Sequence, residues 1–182
     1  TAYRRQRQMC IRDSLFDDRI EFIELFNLTT EELLDSLHAL PDKTVVLLGS
    51  FYRDRAGRSF SYQEYTVLVT DNCDVPVYTA WDMFVGYGVI GGIVTSGRSQ
   101  GEHAALVALR VLGGESVDSI PVITESPNVP MFDYNVMQRF GISVSDLPVG
   151  RVVINEPVSL YYRHKTFIWM ISAFILLQSF MI

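Results

Sequence analysis

The stretch 75–112, VPVYTAWDMFVGYGVIGGIVTSGRSQGEHAALVALRVL, sets the terms for the whole chain. It opens with a short apolar strand, VPVYTA, tipped by Trp81 and Asp82. Glycines follow at 86, 88, 91 and 92, then a β-prone run, IVTS, then an alanine-rich helix. Parallel α/β sheets place their ligand contacts at C-terminal strand ends, where this aromatic and this carboxylate fall. The glycines imply a sharp bend or a close approach to other backbone, and we read them as a crossover between structural layers.

The residues ahead of this stretch read as its scaffold. EFIELF (21–26) has the composition of a strand. Thr29 with Glu32 three residues on forms a capping box, and Leu28 and Leu33 are spaced to staple it. Leu33, Leu34, Leu37 and Leu40 give one apolar helix face, and Pro41 stops the helix. KTVVLLGS is a continuous apolar run, the mark of a strand buried on both faces. A polar loop, 51–60, leads to a helix over 61–72 with Tyr65, Leu68 and Val69 inward, and VPVYTA closes the unit. This β-α-β-α-β order predicts an α/β fold with a right-handed, doubly wound parallel sheet.

Beyond the glycines, Ser99 and Glu102 suggest a second capping box for a helix over 99–112, stopped by Gly113 and Gly114. SVDSIPVITES (116–126) supplies a short strand, MFDY another, and a short helix ends at Gly141. A turn through Asp146, Leu147 and Pro148 leads to the apolar run RVVIN. The chain finishes on TFIWMISAFILLQSFMI (166–182), which carries no charge. At about 1.5 Å per residue this run reaches roughly 25 Å, close to a bilayer core, and it is apolar on every side. We read 166–182 as a truncated transmembrane helix and 158–165 as its juxtamembrane linker.

Charge narrows the partners. The chain has a net charge of −6, but residues 1–14 alone hold four arginines against one aspartate, so the remainder carries −9. A surface of that sign repels phosphates and argues against nucleic acid. The arm itself, with RRQRQMCIRDS, has the character of translated sequencing adapter and no apolar core of a signal peptide. We take 1–14 as a non-native arm, with the coding region proper starting near Leu15. Outside it Cys73 stands alone, which makes neither a disulfide framework nor a metal site, and no cofactor is expected.

Three motifs bear on function. GYGVIGG (86–92) satisfies G-x-G-x-x-G, but a β-prone run follows where a dinucleotide site needs a helix, so we reject it. Gly97-Arg98-Ser99-Gln100-Gly101 matches the G-x-S-x-G of a serine hydrolase elbow. His38 precedes Ser99, His103 is one turn along the same helix, and only His164 has the order a triad needs. A helix cap at Ser99 explains the same residues without catalysis. The third motif is a pair of strand ends: Ser50, Phe51 and Tyr52 follow TVVLL, and Thr79, Trp81 and Asp82 follow VPVY. These six suit a ligand-binding cleft wall, the aromatics by flat area and the carboxylate by pairing with donors. They equally suit a Trp81 that caps the core and an Asp82 that caps a turn.

PVYTAWDMFVGYGVIGG, QGEHAALVALRVLGGE and IPVITESPNVPMFDYNVMQRFGISVSDLPVG together carry a family likeness. Over 15–165 the chain resembles the periplasmic-binding-protein-like sensor domains, of the ABC-transporter substrate-binding type, that front bacterial membrane histidine kinases. The most telling string is ESPNVPMFDY followed by RFGI and LP. The resemblance implies a two-lobed type I fold, of which 15–157 would be the C-terminal part. It also implies a small-molecule ligand held between the lobes, no catalysis in this portion, and a homodimeric receptor. That receptor would sit in the bacterial inner membrane with the sensor on the periplasmic side. A solute-binding protein feeding a transporter is the neighbouring alternative, and a hydrolase built on Ser99 is the more distant one.

Overall fold

The computed structural model describes residues 20–50, 52–158 and 160–179. A single five-stranded sheet organises them, with strands β1 (Val46–Leu48), β2 (Val77–Thr79), β3 (Gly91–Val94), β4 (Val129–Asp133) and β5 (Val152–Ile154). The spatial order follows the chain, β1-β2-β3-β4-β5. β1, β2 and β3 are mutually parallel, β4 runs antiparallel to β3, and β5 is parallel to β4. The α/β class and the mostly parallel sheet therefore stand. The sheet never reverses its order at a switch point, so the doubly wound order is corrected to a sequential one.

Helices α1 (Thr30–His38) and α2 (Tyr62–Asp71) are both started by capping boxes, Thr29 with Glu32 and Ser61 with Glu64. In each box the hydroxyl and the glutamate satisfy two N–H groups that the first turn leaves open. Leu33 and Leu37 of α1 and Tyr65 and Val69 of α2 pack with Leu48, Val77, Phe84 and Val89 on one face of the sheet. Each such apolar side chain removed from water contributes about 1.5–3 kcal/mol. A second cluster forms on the other face, where Ile90, Phe132 and Met137 meet Tyr78, Val136 and Phe140 under helix α4 (Tyr134–Arg139).

That second cover is short. Leu47 pairs in register with Tyr78 and so shares its face, yet it is 73% exposed, and Ile93 is 62% exposed. The expectation that KTVVLLGS is buried on both faces is thus corrected: α4 reaches only the Phe132 end. The run 21–26 forms no strand either. It passes as irregular chain, turned by Asn27 at φ 58, with Leu25 and Leu28 against the first cluster.

Helix α3 runs over Gly97–Leu112, two residues earlier than Ser99 predicts, because Ser96 is the N-cap and accepts from Ser99 N. Glu102 pairs with Arg98 one turn earlier instead of closing a box. α3 buries none of its residues. After it, 116–126 holds a 3-10 turn, Val117–Ser119, and irregular chain beside α3, not the expected strand. The last helix, α5 (Leu160–Ser179), starts six residues ahead of the expected 166 and is kinked at His164. Among the described residues no helix is long and apolar enough to cross a membrane, since Arg163, His164 and Lys165 occupy the front of α5. Residues 180–182 of the expected span lie outside the described residues, as do residues 1–14 with Cys10.

Of the four glycines read as a crossover between layers, Gly86 and Gly88 shape the turn ahead of β3, whereas Gly91 and Gly92 lie in the sheet itself. Gly91 (φ 118) and Gly92 (φ 158) belong to β3, and a Cβ at 91 would overlap the Met131 carbonyl oxygen of β4. A Cβ at 92 would overlap the Thr79 carbonyl oxygen of β2. Gly91→Ala should therefore cost roughly 3 kcal/mol or more in denaturant unfolding, since it strains φ and displaces a neighbouring strand. Gly101→Ala is the opposite case: it lies in α3 with open space at its Cβ, and it should stabilise by up to about 1 kcal/mol.

Candidate functional site

Because β1, β2 and β3 are parallel, their C-terminal ends share one edge of the sheet, and the start of the antiparallel β4 joins them there. Ser50 and Tyr52 follow β1 and are exposed, Tyr52 by 53%. Trp81 and Asp82 follow β2, with Trp81 40% exposed and Asp82 half-buried. Phe51 lies outside the described residues.

The loop bearing Tyr52 is tied down by a buried carboxylate. Asp54 accepts from Thr30 Oγ1 at 2.7 Å, from Thr30 N at 3.2 Å and from Arg58 N at 2.8 Å. The Thr30 hydroxyl bond, then the backbone N–H groups, hold its carboxyl below the usual aspartate value against the opposing pull of desolvation. Arg55 N donates to Leu28 O, and the Arg55 guanidinium pairs with Glu32 of the α1 capping box. Tyr52 itself meets Tyr62 of α2, ring edge to face at 5.2 Å, with the Tyr62 hydroxyl donating to the Tyr52 hydroxyl at 3.1 Å. That bond raises the Tyr62 phenol above its ordinary value. Tyr62 then touches the buried Phe84 at 6.0 Å, which links the loop after β1 to the turn after β2.

Thr79 stands apart from the other candidates. It is buried, and its hydroxyl donates to Leu48 O at 3.4 Å and accepts from Trp81 N at 3.2 Å. Thr79 thus ties β1 to the chain after β2 and fixes the backbone of Trp81 without reaching the edge surface. Trp81 and Asp82 are further held by Thr95, which bridges Trp81 and whose carbonyl accepts from Asp82 N at 3.3 Å.

Asp82 serves the start of α3. Its Oδ2 accepts from Gly97 N at 3.3 Å while Ser96 Oγ accepts from Ser99 N at 3.5 Å. A carboxylate at that end also complements the helix dipole. The arrangement leaves Asp82 a second carboxylate oxygen for a ligand donor. Ser99 is differently placed: its hydroxyl donates to Pro127 O at 2.7 Å, and His103 Nδ1 meets the Ser99 main-chain oxygen at 3.0 Å, not the hydroxyl. A nucleophile needs its base on the hydroxyl, so this geometry supplies no elbow.

Sequence reading missed three members of the edge: Thr95, Asn128 and Tyr62. Asn128, which leads into β4, accepts from Thr95 Oγ1 at 3.3 Å and Ser126 Oγ at 2.9 Å, and Tyr62 joins through Tyr52. The only available signal was the Ser61 cap, which places Tyr62 at the first turn of α2. Beside this edge an open groove of about 380 Å³ lies between α3 and the irregular chain at 123–127, lined by Gln100, His103, Val107, Ile123 and Glu125. Among the described residues no cluster of His, Cys, Asp or Glu is placed to hold a metal ion.

No family model, curated protein or solved structure matches the chain.

Asp54 yields a pH test. A carboxyl held below its unfolded value stabilises the fold fully above the unfolded pKa and loses that contribution as pH falls through the folded one. Asp54→Asn should lower the melting temperature near neutral pH, and the gap from wild type should close in acid, below the ordinary aspartate value of about 4. Circular-dichroism melts across that range read the outcome.

Proposed function

We propose that this chain is the ligand-binding sensor portion of a membrane signalling receptor of the histidine-kinase kind. It would bind a small molecule at the edge formed by Ser50, Tyr52, Trp81 and Asp82, and has no catalysis of its own. The observation that carries the reading is the convergence of these residues: two neighbouring parallel strands end side by side, and each presents an exposed aromatic beside a polar group. Large aromatics left half open at such an edge offer contact area to a ligand at low entropic cost. The Asp54, Thr79 and Thr95 bonds support it by fixing the loops beforehand, which lowers the ordering cost of binding.

In this reading the sheet belongs to one lobe of a two-lobed, periplasmic-binding-protein-like fold, and the ligand lies between lobes. α5 attaches the domain to the inner membrane with the sensor outside, and the receptor acts as a homodimer. The sequence likeness described above supports these finer points.

The test begins with a thermal-shift screen of small molecules, followed by calorimetric titration of the best hit. Trp81→Ala should weaken binding by roughly 1–3 kcal/mol if the indole is a buried anchor in the complex. Asp82→Asn keeps the shape and an acceptor for Gly97 N, so a comparable loss there identifies a cationic or donor-rich ligand. Wild-type binding by both variants, with lowered melting temperatures, would make these residues caps of the core and of α3 and remove the site.

A further inference from the structure

Arg163, His164 and Lys165 stand consecutively on α5, all exposed, directly ahead of the uncharged run 166–179. The helix is broken in the middle of this trio, at His164 with φ −119 and ψ 17, so the basic residues sit at a bend between two helical pieces. After the bend Phe167, Trp169, Met170 and Ile175 are all more than half exposed. The contrast with residues 20–158 is sharp: they hold eight Lys and Arg against eighteen Asp and Glu. A body of that charge is repelled by an anionic surface, and the local pair Arg163 and Lys165 is the feature that reverses the sign next to the apolar side chains.

We propose that this segment docks on a lipid surface bearing anionic headgroups. Arg163 and Lys165 would meet headgroup phosphates, and the aromatic and aliphatic side chains after the bend would enter the acyl region. The inference rests on the membrane-attached reading above and adds to it the chemistry of the partner. Apolar burial alone is indifferent to headgroup charge, whereas each cation at an anionic bilayer strengthens partition about fivefold. The guanidinium forks onto phosphate and the ammonium acts as a point charge, so both suit the same headgroups. The attraction is electrostatic and decays within a Debye length, so salt weakens it.

Flotation of the full chain with vesicles tests this, with Arg4→Gln, Arg5→Gln, Arg7→Gln and Arg12→Gln made in every sample so that residues 1–14 add no attraction of their own. The vesicles are phosphatidylcholine alone, or phosphatidylcholine with about a third phosphatidylglycerol, each at about 0.05 M and about 0.5 M salt. Wild type should partition roughly 25-fold more strongly into the anionic vesicles at low salt, and high salt should erase most of that preference. The double variant Arg163→Gln, Lys165→Gln should bind both vesicles as wild type binds the neutral ones, with an unchanged melting temperature. Equal binding of wild type to both vesicles, or a preference kept by the variant, overturns the headgroup inference and leaves membrane attachment standing. Binding to neither vesicle overturns both. In that case self-association on size exclusion, lost in Trp169→Gln, would assign the apolar side chains to a second copy.

Discussion

At two adjacent positions in the centre of the sheet only a hydrogen atom fits as a side chain. Gly91 lies against the backbone of β4 and Gly92 against the backbone of β2, so the one strand that joins the two halves of the molecule is pinched from both sides. On one side stand β1 and β2 with α1 and α2; on the other, β4 and β5 with α4. The two apolar clusters lie on opposite faces and share β2, which gives Val77 to one and Tyr78 to the other; Val89 and Ile90, just ahead of β3, divide between them in the same way. Left-handed φ at Gly91 lets the chain enter β3 straight from the glycine-rich turn, without a helix between. Close backbone approach here holds the parallel part of the sheet and its antiparallel part together.

The edge that gathers Tyr52, Trp81 and Asp82 depends on this pinch and on a few polar ties. Thr79 couples β1 to the chain after β2, Thr95 carries the end of β3 to Trp81 and Asp82, and Asn128 brings in the start of β4. Asp54 works from further back: one buried carboxylate satisfies the start of α1 and the loop after β1 together. Burial of a carboxylate is costly unless its oxygens are matched, and here three donors match it. Polar groups at this edge therefore set loop geometry, while the exposed aromatics supply surface.

Local chemistry was legible in the sequence wherever it was self-contained. Thr29 and Glu32 announce α1 because both partners of the capping box lie within one turn. Val77–Thr79 and Val152–Ile154 appear as strands because their apolar runs are bounded by turns. What failed needed knowledge of a distant neighbour. EFIELF and PVITES have strand composition, yet a strand exists only where another offers its edge, and neither segment meets one. The cap at Ser96 displaced Ser99 because Asp82, fifteen residues away, already receives Gly97 N and lets the helix begin earlier. Likewise TVVLL is apolar enough for a strand covered on both faces, but composition does not reveal that α4 is too short to reach Leu47.

The sequential order of the strands also governs how such a chain assembles. Every rung joins strands that are consecutive in the sequence, so no strand waits for a partner made much later, and contact order stays low for a mostly parallel sheet. The β1–β2 unit with α1 and α2 can close first around Leu48, Val77 and Val69. β3 follows immediately, after the shortest connection between any two strands in the sheet. The longest connection between paired strands is the one from β3 to β4, and the loop it closes contains all of α3, a helix that contributes no buried side chain to guide it.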